Sequence, residues 1–144
     1  MAEPVASSDV EFAANGGTTP GYLSRPEAQG SYPGIVLIQE WWGVDDHIVD
    51  VTRRFAAEGY ATLAPDLFHG TVTKEPTEAM KLIQSMDRDR AVKELKGAVA
   101  YLKGQPSSSG KVGIIGYCMG GGLSILTACK TIHLPTQNHL PYQW

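Results

Sequence analysis

Cys118 is the residue best placed to do chemistry. It stands in Gly116-Tyr117-Cys118-Met119-Gly120, directly after the apolar run Lys111-Val112-Gly113-Ile114-Ile115. Gly121 and Gly122 follow, and then a helical pattern from Leu123 to Cys129. A strand, a sharp turn and a helix together expose a nucleophile on a strained kink, here with sulfur in place of the usual hydroxyl. The flanking glycines fit, because neighbours with a Cβ would collide around so tight a turn. The helix start behind the sulfur aims unpaired N–H groups and partial positive charge at it, which favours a thiolate. A thiolate that attacks acyl carbon is recharged by a histidine and an acid downstream. No Asp or Glu occurs after Glu94.

A second candidate is Glu40, at the end of the run Ile35-Val36-Leu37-Ile38. Strand ends of parallel sheets are where ligands bind. Trp41 and Trp42 either line a pocket there or cover a helix end. Asp45 or Asp46 reads as a helix cap rather than a catalytic acid. His69 lies in a loop near the same edge and reads as a surface histidine; His47 falls in a first helical turn and is expected in solvent. The glycines from Gly113 to Gly122 match neither G-x-G-x-x-G nor a phosphate-binding loop, which argues against a nucleotide site.

These residues need a scaffold, and the chain has the means to build one. Its 144 residues suit a single domain, and 42% hydrophobic with 19% charged content supports a core and argues against disorder. Net charge is −3 with no basic cluster, so neither nucleic acid nor an anionic membrane is an expected partner. The start of the chain does not read as a signal peptide, and no apolar run approaches the roughly 20 residues of a membrane span. Cys118 and Cys129, placed on one helix, would stand about 16 Å apart, too far for a disulfide. Two free thiols imply a reducing, cytoplasmic setting, and Cys129 is expected to face the core.

Residues 1–9 read as a loose N-terminus. Val10 to Ala13 and Gly21 to Ser24 are short strand candidates around Asn15-Gly16-Gly17, the second confined to an edge by Pro20 and Pro26. Ile35 to Ile38 is a β-branched run buried on both faces. A helix carries Ile48, Val51 and Phe55 and stops at Gly59; Tyr60 to Ala64 is the next strand. Pro76 opens a helix with Met80, Ile83 and Met86 on one face, and Arg88 to Leu102 forms another. Strands alternating with helices predict crossovers and a mostly parallel sheet. Residues 10–130 form that partial α/β domain, and 131–144, with Pro135 and Pro141, read as an atypical tail.

Three blocks carry a family likeness. Pro33 to Val44, containing Gln39-Glu40-Trp41-Trp42-Gly43, resembles the first buried strand and loop of the dienelactone hydrolase family. Gly59-Tyr60-Ala61 with Ala64-Pro65-Asp66-Leu67 is similar to its next strand, and Gly110 to Gly122 to its nucleophile turn. The likeness runs in order from about Val10 to Ala128. It implies a three-layer α/β/α sandwich of the α/β-hydrolase type, apparently truncated after the elbow helix. It also implies hydrolysis of an ester or enol-lactone, with no metal or organic cofactor.

Residue by residue, the likeness makes Cys118 the nucleophile and Glu40 the carboxylate that holds and then deprotonates it. The backbone N–H groups of Met119 and Trp41 become the oxyanion hole. The family's later acid has no counterpart here, and His133 and His139 are the only late histidines. The family's substrate-binding arginine falls near Pro76 and is unmatched, so a carboxylated lactone is not implied. The alternative expectation is an inactive, truncated product that associates with other chains through an exposed sheet edge.

Overall fold

A computed structural model describes residues 3–131. The elements are β1 (Val5–Ala14), β2 (Gly17–Pro26), β3 (Tyr32–Ile38), α1 (Asp46–Ala57), β4 (Ala61–Pro65), α2 (Pro76–Ser85), α3 (Arg88–Lys103), β5 (Ser108–Gly116) and α4 (Met119–Thr131). His133, His139 and all of the expected tail beyond Thr131 lie outside the described residues.

The strands form one sheet in the order β1-β2-β4-β3-β5. β3 runs parallel to both β4 and β5, as expected of strands joined by helical crossovers. The hairpin β1–β2 adds antiparallel pairing, so the sheet is mixed. Its turn is Asn15-Gly16 at φ 50° and 75°, the left-handed pair that matches the twist of the flanking strands.

Two expectations about this hairpin need correction. β1 begins at Val5 and pairs from Val5↔Pro26 onward, so most of the stretch expected to be loose is strand. Its polar residues, Ser7 to Asp9, belong to an edge strand with a solvent face, and Ser7 Oγ lies 2.8 Å from Ser24 Oγ. β2 is also not an edge. Its ladder with β4 runs from Gly21 to Ser24, between the two prolines, so neither interrupts pairing on that side.

β3 explains the layering. Val36 and Ile38 point into one core with Leu63, Leu95 and Leu102. Ile35 and Leu37 point into the other with Ile48 and Ala64. Helix α3 therefore covers one face and α1 the other, which is the expected three-layer arrangement. Asp45 is the cap of α1; its Oδ1 accepts from Ile48 N–H at 3.0 Å. On α4 the buried positions are Gly120, Leu123 and Thr127, three and then four residues apart. Cys129 lies off that stripe and is exposed, contrary to the expectation that it faces the core.

Candidate active site

The site is built where β5 meets α4. Cys118 has φ 54°, a left-handed conformation that costs a non-glycine residue energy. The chain folds this way because α4 must start against the end of β3. A Cβ on Gly116 would fall 2.3 Å from Gly120 C, and one on Gly120 would fall 2.9 Å from both Ile38 O and Gln39 O. Both positions are closed to any side chain. Gly122 meets nothing within 4 Å, so space does not require a glycine there.

Gly121 and Gly122 N–H groups donate to Cys118 O at 3.1 and 3.3 Å, closing the first turn of α4. As the first residue of that helix, Met119 has an N–H with no intrahelical acceptor. Cys118 itself is exposed and free. It opens on a cavity of about 610 Å³ lined by Met86, Arg88, Met119, Leu123, Leu126 and Cys129, among others. Arg88, which the sequence did not connect with the site, thus sits on the same cavity as the thiol.

Glu40 follows β3 in a tight turn in which Gly43 N–H donates to Glu40 O at 3.3 Å. Its side chain lines a separate cavity of about 490 Å³ with His47, Arg54 and Tyr117. The structure thus brings Glu40 beside the elbow residue Tyr117, whereas the thiol opens on the other cavity. Trp41 is half-buried and stacks at a tilt on Trp42, with ring centroids 4.7 Å apart.

A third cluster went unread in the sequence. Glu94 is buried at 2% exposure on α3, and its Oε1 lies 2.7 Å from His69 Nε2. Arg90 Nη2 donates to Leu67 O at 2.9 Å. His69 is therefore partnered, although its ring remains part-exposed. The signal was present: Glu94 stands between Ala91 and Ala98 on the buried stripe, and four residues after Arg90.

Sheet, elbow and strand-end loop together define an α/β-hydrolase fold. The model of the dienelactone hydrolase family matches residues 19–135, and the chain belongs to that family. It is 38% identical over 128 residues to protein usf of Aquifex pyrophilus, covering 84% of this chain and 54% of that protein. It is 37% identical over 130 residues to the carboxymethylenebutenolidase of Pseudomonas putida, covering 84% of this chain and 55% of that enzyme. Among solved structures, a dienelactone hydrolase-like promiscuous phosphotriesterase from metagenomic libraries is similar at TM-score 0.77 and 28% identity, over 88% of this chain and 54% of that one. The chain spans about half the length of the curated relatives it matches.

Proposed function

We propose that this chain carries the nucleophile half of an ester- or enol-lactone-cleaving site. Cys118 thiolate adds to the carbonyl carbon, and the carbonyl electron pair moves onto oxygen. Met119 and Trp41 N–H groups receive that oxyanion. The carbon–oxygen bond to the leaving alkoxide breaks, leaving a thioester that water opens to the acid and free thiol. Glu40 takes the thiol proton after the Cys118 side chain rotates toward the cavity that Glu40 and Tyr117 share. No metal or organic cofactor enters this scheme. The free thiols fit a cytoplasmic setting.

The observation that carries this reading is the left-handed Cys118 held between two positions closed to a Cβ. Strain of this kind persists where the surrounding structure over-determines it, and it clusters at functional sites. The test is hydrolysis of an activated aryl ester by the chain and by Cys118→Ala. The expected result is an initial burst of one equivalent per chain, which the substitution abolishes. Activity that survives Cys118→Ala would remove the site.

A second reading rests on a different observation: among the described residues, neither a histidine nor an acid lines the cavity on which the thiol opens. In this reading the chain acylates but hardly turns over, and two copies associate along the edge of β5. A burst without steady turnover favours this second reading, and sustained turnover favours the first.

A further inference from the structure

We propose that Glu94 is a positioning residue for the Glu40–Trp41 loop, acting through the loop after β4. The proposal rests on the role given to that loop above. A chain of hydrogen bonds and one longer ion pair supports it. Glu94 Oε1 lies 2.7 Å from His69 Nε2 and 3.7 Å from Arg90 Nε. Arg90 Nη2 donates to Leu67 O at 2.9 Å, and Leu67 N–H donates to Gln39 Oε1 at 2.9 Å. Gln39 is fully buried and immediately precedes Glu40.

The far end of the strand-end turn is held by the same loop. Thr73 N–H donates to Trp42 O at 3.1 Å. A Cβ on Gly43 would lie 2.5 Å from Thr71 O, so the two loops touch backbone to backbone. Between these points the loop is stiffened by Asp66, whose carboxylate accepts from Phe68 N–H at 3.1 Å and Gly70 N–H at 2.6 Å. Residues 39–43 are thus clamped at both ends by a loop that α3 pins through Glu94 and Arg90.

A helix face that served packing alone would carry an apolar side chain at Glu94. Removing one partner of a buried ion pair is strongly destabilising when the other charge is left buried, which is not the case for the partners of Glu94. Arg90 and His69 are 36% and 39% exposed and can turn to solvent when Glu94 is removed. Glu94→Leu is therefore expected to fold and yet release the loop.

The tilted Trp41–Trp42 pair gives a readout that stability does not move. In a Trp144→Phe background, the exciton couplet of that pair in circular dichroism reports the loop alone. Glu94→Leu is expected to melt cooperatively and to lose most of the couplet. Its kcat on the activated ester falls by about tenfold to a hundredfold with KM unchanged. Glu94→Gln, which keeps an acceptor for His69, retains the couplet. A folded Glu94→Leu chain with an unchanged couplet overturns the proposal. Should Glu94→Leu fail to fold, His69→Leu decides in the same way, because it removes a part-exposed partner. A wild-type chain that cleaves no ester would defeat the site reading, and the couplet would still decide the role of Glu94.

Discussion

At Cys118 a sulfur is paired with a backbone conformation that suits glycine better. The side chain is exposed, so it gains little from packing there. Cys118→Gly is therefore expected to raise unfolding free energy by about 1 kcal/mol while ending ester cleavage. Urea titration beside the burst assay checks both halves. A destabilised Cys118→Gly chain would mean that the thiol contributes contacts outweighing the strain. The elbow was readable in the sequence because glycine spacing and an apolar run report backbone needs directly. Glu94 was not, since a carboxylate in a helical pattern reads as solvated until the fold supplies His69 and Arg90 from elsewhere.

Among the elements, α4 packs Leu123 into the core that α3 lines and is also tied to α3 by polar contacts near its C-terminal end. Lys130 Nζ pairs with Asp89 Oδ1, and Lys96 Nζ donates to Lys130 O at 2.9 Å. The Lys130 hydrogen bond and charge, together with Lys93, hold the Asp89 carboxyl below the usual aspartate range. A carboxyl lowered on folding adds stability above its unfolded value, near 3.8, and loses it as pH falls through the folded one. Asp89→Asn should thus melt slightly earlier than wild type at neutral pH, with the gap closing in strong acid. A gap that persists at the acid end would contradict the pairing. Screening by salt should shrink it as well.

Helix boundaries were largely legible, because Asp45, Gly59 and Pro76 mark them with local chemistry. The hairpin was under-read. Polar Ser7 to Asp9 make sense as strand only beside Leu23 and Ser24, and sequence periodicity does not supply that partner. Cys129 was misplaced for a related reason. Its helix is apolar nearly all round, so its period does not say which stripe meets the core.

For the whole molecule, β3 is sealed on both faces and both edges, whereas among the described residues β5 pairs on one edge only. Beside that edge lies a groove of about 750 Å³ lined by Val99, Val112, Ile114 and Ile125, the last of them 67% exposed. Unpaired strand edges beside apolar surface recruit further strands. Sedimentation velocity is expected to show concentration-dependent dimers that Ile114→Lys with Ile125→Lys suppresses. A single monomeric boundary across the concentration range would exclude self-pairing. Among the described residues no helix is long and apolar enough to cross a membrane.

The strand order also sets a timetable. β1 and β2 are neighbours in sequence and in space, so they can zip within about 10 microseconds. β5 must find β3 across three helices and a strand, the costliest closure in this sheet. The contorted peptide at Cys118 is consequently imposed only when that late docking succeeds, and a nascent or half-refolded chain carries its sulfur on slack backbone.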